Sequence, residues 1–87
     1  MNIVYSKAFK RDLAKFLEVT VTPEFVEVMY LLQNHKPLPE KYKDHLLKGN
    51  WLEFRDCHIA NDLVLIYRYQ GDDLYLARMN THSEVFK

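Results

Sequence analysis

Apolar and polar positions change their period along the chain. Residues 2–5 open as a short β-prone run, and Ser6 stands where a helix N-cap is expected. Over residues 7–18, Phe9, Leu13, Phe16 and Leu17 recur at helical spacing and predict one core-facing stripe. Lys7, Lys10, Arg11 and Lys15 then share the opposite side. A second helix is predicted after Thr22, a suitable cap, with Pro23 at its first position and Phe25, Val28, Met29 and Leu32 as its core face. Pro37 disfavours helical geometry at Lys36, so this helix is expected to end by His35. Residues 36–50 then read as a long connection, and in a small fold such a segment is a place to look for chemistry.

From Trp51 onward the pattern turns β-like. Residues 51–59, 63–69 and 74–79 are rich in aromatic and branched side chains, and Ala60-Asn61-Asp62 and Gln70-Gly71-Asp72 supply turns between them. These runs predict an antiparallel meander. Its middle strand, apolar on both parities, is central, the N-terminal strand joins at one side, and both helices cover one face. Glu53, Arg55, Asp56 and His58 are interleaved with apolar residues, which leaves the other face polar toward solvent. Thr81 with Glu84 three positions later is a capping-box pattern, predicting a short helical turn that carries His82. The expected class is therefore α+β, one domain over residues 1–87: strand, helix, helix, three-stranded antiparallel meander and a short C-terminal helical turn.

Composition narrows the setting. The chain has 87 residues, 12 basic and 12 acidic side chains and one cysteine, Cys57, so no internal disulfide is available and a reducing cytoplasm is expected. There is no run of about 18 apolar residues and no apolar leader, so neither a membrane span nor a secretory signal is expected. A neutral balance gives no compositional sign of a nucleic-acid partner, which leaves local charge to supply one. Residues 1–15 hold four basic side chains against Asp12 alone, a face that by itself reads as solvated.

Four histidines are present, His35, His45, His58 and His82. His35, near the end of the second helix, is expected to stabilise its last carbonyls. The others fall in the connection, at a strand end and in the terminal turn. Cleaving an RNA phosphodiester by internal attack needs a base for the 2′-hydroxyl, an acid for the departing 5′-oxygen and cations for the phosphate. His45, His58 and His82, with Asp62, Arg55 and Arg78, could supply these without a metal. A zinc or iron site is the alternative, since three histidines and an aspartate form an acceptable ligand set. Only His58 and Asp62 are close in sequence, however, and no HExxH or paired-cysteine spacing occurs. Cys57, between Asp56 and His58 inside a strand, is expected to pack rather than act as a nucleophile. Gly49 and Gly71 lie too far apart for a phosphate-cradling loop.

Several ordered blocks carry a more specific signal: Leu38-Pro39-x-x-Tyr42-Lys43-Asp44-His45, Gly49-x-Trp51, Arg55-Asp56-x-His58, Asp62, Leu65-Ile66-Tyr67, Arg78 and Thr81-His82-x-x-x-Phe86. Together they resemble the YafQ branch of the RelE/ParE toxin superfamily. The resemblance implies a small RelE-like fold and a bacterial type II toxin that cleaves mRNA in the ribosomal A site without a cofactor. It also implies neutralisation by a cognate DinJ-like antitoxin, with operator DNA bound only by the toxin–antitoxin complex. Carried over by position, His45, His58, Asp62, His82 and Phe86 match the catalytic set. His82 would transfer a proton, His45 and His58 would lie at the scissile phosphate or 2′-hydroxyl, Asp62 would orient, and Phe86 would stack or anchor. Lys7, Lys10, Arg11, Lys15, Lys43, Arg55 and Arg78 would contact RNA, which turns the basic helix face from solvation toward binding. Leu63 stands where the best-known pattern of the family has tryptophan, removing one ring that could touch RNA. The other reading is a binding module of the same fold without nuclease activity, or a toxin directed at another target such as DNA gyrase. The joint presence of the three histidine blocks favours the nuclease.

Overall fold

The computed structural model describes residues Met1–Lys87. They form β1 (Ile3–Tyr5), α1 (Lys7–Lys15), α2 (Pro23–Gln33), β2 (His45–Leu46), β3 (Arg55–Ala60), β4 (Leu63–Gln70), β5 (Asp73–Thr81) and α3 (His82–Val85), with short 3-10 turns at Leu17–Val21, Glu40–Tyr42 and Gly49–Trp51. All the strands join one sheet in the order β1-β5-β4-β3-β2. The β3–β4–β5 meander is antiparallel with β4 central, as the sequence pattern predicts; β1 joins at one side, and the structure shows it parallel to β5. No helix is long and apolar enough to cross a membrane.

One sheet face and both long helices make the main core. Phe9 of α1 and Val28 and Leu32 of α2 pack with Cys57, Ile59, Leu65, Tyr67, Leu76 and Met79. Burying each such aliphatic or aromatic side chain contributes about 1.5–3 kcal/mol. The caps read from the sequence form as expected: Ser6 Oγ accepts the Phe9 N–H at 2.9 Å, and Thr22 Oγ1 accepts that of Phe25 at 3.3 Å. Ser6 also donates to the Ala77 carbonyl at 2.6 Å, so its hydroxyl starts α1 and ties it to β5.

Four local expectations are corrected. Helix α1 stops at Lys15 instead of reaching residue 18, and Leu17 leaves the core stripe, 61% exposed. Thr20 and Thr22 turn their hydroxyls back onto the carbonyls of Leu17 and Val19, a local alternative to helical pairing that favours the 3-10 turn. Strand β3 begins at Arg55 rather than at residue 51, because Glu53 adopts a left-handed φ of 74° and the Phe54 N–H closes a turn onto the Trp51 carbonyl at 2.9 Å. Trp51 and Phe54 then fold against the far sheet face beside Val64, Ile66, Ala77 and Val85, so that face is partly covered. The connection over residues 36–50 contains β2, a two-residue edge strand too short to show any alternation. His35 does not cap the second helix through its ring: its backbone is left-handed, with φ 53°, and the ring stacks on Tyr69 at 4.4 Å.

Candidate active site

Strand alternation sorts the residues of β3. Cys57 and Ile59 point into the helix-side core, so Asp56 and His58 face the other way. Antiparallel pairing sets His45 of β2 directly across from Asp56, on the same face. His58 pairs with Val64, which in turn pairs with Asn80 of β5, two residues before the start of α3. The Thr81 cap, accepting the Glu84 N–H at 3.3 Å, fixes that start and delivers His82 beside His58, with ring centroids 4.9 Å apart and edge-to-face. Phe86, one helical turn later, lies 6.0 Å from the His82 ring. The β3–β4 turn brings Asp62 to His82, with Oδ1 2.9 Å from Nδ1. The five residues matched by resemblance, scattered over 42 positions of sequence (45 to 86), therefore gather at one end of the sheet.

Acceptors fix which nitrogens carry protons. The neighbour of His82 Nδ1 is the Asp62 carboxylate, so Nδ1 donates and Nε2 is left to exchange a proton. That hydrogen bond holds the Asp62 carboxyl below its ordinary value. His45 Nδ1 lies 2.8 Å from the Lys43 carbonyl oxygen, and the left-handed backbone of Lys43 presents that oxygen, so here too Nδ1 donates. Burial lowers the pKa of His58, and His82, Lys43 and His45 lower it further against the opposing pull of Asp56. His58 is accordingly neutral at pH 7 and able to accept a proton. A shallow cleft of about 250 Å³ opens beside it, with Lys41, Lys43 and Asn61 among its walls. A neutral imidazole beside a second imidazole held by a carboxylate is an arrangement able to take one proton and give another.

The cations divide into two groups. Lys7, Lys10, Arg11, Lys15 and Lys43 are exposed and form no ion pair. The two arginines do not join the histidines. Arg55 lies on the helix-side face with both its Nε and Nη2 on Asp44, whose other contact is the Tyr67 hydroxyl at 2.6 Å. Arg78 grips Asp12 at 2.7 and 3.1 Å. Each guanidinium is neutralised by a carboxylate and fastens two parts of the fold, a contrast with the free lysines that sequence spacing does not reveal. No three His, Cys, Asp or Glu side chains converge in a group that could hold a metal ion, so the zinc or iron alternative gains no ligand set here.

Sequence reasoning missed two acids. The sequence shows Asp12 only as the lone acid of a basic helix, and its alternation puts Asp56 at a solvent-facing position. They are 4% and 2% exposed. The helical period itself held a clue to the first, since Asp12 lies three residues after Phe9 and one before Leu13, on the edge of the apolar stripe.

Comparison with known proteins points to one family. The family model described as the bacterial toxin YafQ of type II toxin–antitoxin systems matches residues 1–87. An mRNA interferase toxin YafQ from Escherichia coli strain B is 34% identical over 87 residues, covering 98% of this chain and 95% of the relative. The copper-bound form of a mutant toxin from Helicobacter pylori superposes with a TM-score of 0.89 at 37% identity over 99% of both chains. The toxin in the Escherichia coli DinJ–YafQ toxin–antitoxin complex superposes with a TM-score of 0.82 at 34% identity, covering 99% of this chain and 97% of that one.

Proposed function

Because the chain belongs to the YafQ family of bacterial type II toxin–antitoxin toxins, we propose that it is an mRNA interferase, an endoribonuclease working by histidine acid–base chemistry. The observation that carries this reading is the contact of His58 with His82 in unlike surroundings, one desolvated and the other held by Asp62. In the proposed reaction a 2′-hydroxyl gives its proton to His58 or His45 as its oxygen bonds to phosphorus. The P–O5′ bond breaks, and the departing oxygen takes a proton from Nε2 of His82. The products are a 2′,3′-cyclic phosphate and a 5′-hydroxyl end. Asp62 orients His82, and Phe86 offers a face on which a base can stack.

The substrate is mRNA in the ribosomal A site, and the exposed Lys7, Lys10, Arg11, Lys15 and Lys43 contact RNA phosphates without reading sequence. Arg55 and Arg78 act as structural anchors, their charge being met by Asp44 and Asp12. A DinJ-like antitoxin neutralises the toxin in the cytoplasm, and the pair binds operator DNA; the complex formed by the Escherichia coli relative supports the first of these. The deciding experiment is induced expression of the chain and of its His82→Ala variant, with primer extension on a reporter transcript. Discrete mRNA ends should form with the unaltered chain and fall by at least about a hundredfold in the variant. Growth arrest without new RNA ends would redirect the reading to another target.

A further inference from the structure

The carboxylate of Asp56 belongs to no hydrogen-bonded structural network. It is 2% exposed and lies beneath the histidine cluster: His45 faces it across the β2–β3 pair, His58 follows two residues on along the same face, and His82 approaches from α3. Its Oδ1 sits 3.1 Å from His45 Nδ1 but accepts no hydrogen bond, since that N–H is directed at the Lys43 carbonyl. A buried, unpartnered carboxylate oxygen is costly and calls for an explanation. Around it the fold gathers three imidazoles, cationic when protonated, with Lys43 beside His58, and the like charges nearby are Asp44, itself paired with Arg55, and Asp62, held on His82.

We propose that Asp56 is a positioning residue whose buried negative charge keeps one proton resident in the histidine cluster, so that a general acid stays charged while its neighbour stays neutral. His58 and His82, in edge-to-face contact, disfavour a proton on both at once; Asp62 meets His82 from one side, and Asp56 is the negative charge buried beneath His45 and His58. The free oxygen also gives the His45 N–H a second acceptor when the Lys43 carbonyl shifts, preserving the tautomer that leaves Nε2 reactive. Burial raises the pKa of Asp56 and the three histidines pull it back, so the charge of the acid and the charges of the rings favour one another.

The catalytic part of this role rests on the nuclease reading; the electrostatic part does not, and the test separates them. In the free protein, histidine titrations followed by NMR should move to lower pH in Asp56→Asn, by about one unit for the most affected ring, equivalent to about tenfold. The alkaline limb of the cleavage–pH profile should shift the same way, lowering the rate at pH 7 by about tenfold, while an asparagine in a purely structural role would leave that limb in place. Should the variant not fold, the carboxyl carbon of Asp56 in the unaltered protein serves instead, and its chemical shift should titrate in step with the imidazoles. Histidine titrations that superimpose in the two proteins, or an Asp56 carboxyl that titrates independently of every imidazole, would overturn the proposal. Absence of cleavage by the unaltered protein would count against the nuclease reading and leave the titration result to judge Asp56.

Discussion

Asp12 and Asp56 are buried carboxylates in one small fold, and they are held in opposite ways. Asp12 sits where β1 has ended and β5 continues. Its oxygens take the Arg78 Nε–H and Nη2–H, the Met79 N–H at 3.0 Å and the Asn80 amide at 2.9 Å. It thus stands in for the missing strand partner of β5 and locks α1 along the sheet edge. Burial pushes its pKa up, but hydrogen bonds from Arg78, Asn80 and Met79 together outweigh that, and the net direction is down. Asp56 has no such donors, so burial prevails and its pKa is raised although three histidines oppose it. Burial alone therefore does not set the state of an acid. The count of donors aimed at it does, and the saturated acid is a fastener while the unsaturated one lies under the chemistry.

The largest expected effect follows from removing the saturated acid. Asp12→Ala strands a guanidinium, a backbone N–H and a side-chain amide at once and should cost about 3–5 kcal/mol of stability, read from urea unfolding. Cleavage per folded molecule should be unchanged, and a selective loss of activity would erase the distinction between fastener and site. Asp56→Asn should change stability by less than about 1 kcal/mol at pH 7, since the oxygen it replaces has no donor to lose.

The pH dependence of the two acids should have opposite signs. Asp12 has its pKa lowered on folding, so its contribution is fully present above the unfolded value of 3.8 and is lost as pH falls through the folded value. The deficit of Asp12→Asn relative to the unaltered protein should shrink in acid. Asp56 has its pKa raised, so the folded state favours its protonated form and its contribution declines as pH rises through the folded value. Asp56→Asn should therefore gain on the unaltered protein as pH rises from the ordinary value of 3.8 through the folded value, and parallel difference curves for the two variants would break the comparison. The smallest effect is expected on the outer side of α1. Lys10 and Arg11 are exposed and have no acid in reach, so changing both to Gln should alter stability by less than about 0.5 kcal/mol. A larger loss would show that the fastening extends beyond Asp12.

Much of this architecture was legible in local signals. Ser6, Thr22 and Thr81 marked the three helix starts because a cap needs only a hydroxyl and the N–H groups that follow it. The apolar run of β4 announced a strand buried on both faces, and turn residues placed its neighbours. The candidate site residues were named by ordered blocks, yet nothing local showed that His58 and His82 touch, or that Arg55 and Arg78 are committed to acids. Strand β2 has no local signal since two residues carry no period, and alternation puts Asp56 toward solvent because it tells sides apart without telling what covers each side.

The sequence by itself thus determined where helices and strands begin, which residue types could exchange protons, and which family the blocks resemble, because these depend on neighbours a few positions apart. Only the tertiary structure decided the partners of the charges. Asp12 meets Arg78 across 66 positions, and His82 meets Asp62 across 20. Whether a carboxylate finds donors or an unpartnered burial depends on which strands pair and where β1 stops, and that is fixed by the packing of the whole sheet against α1 and α2.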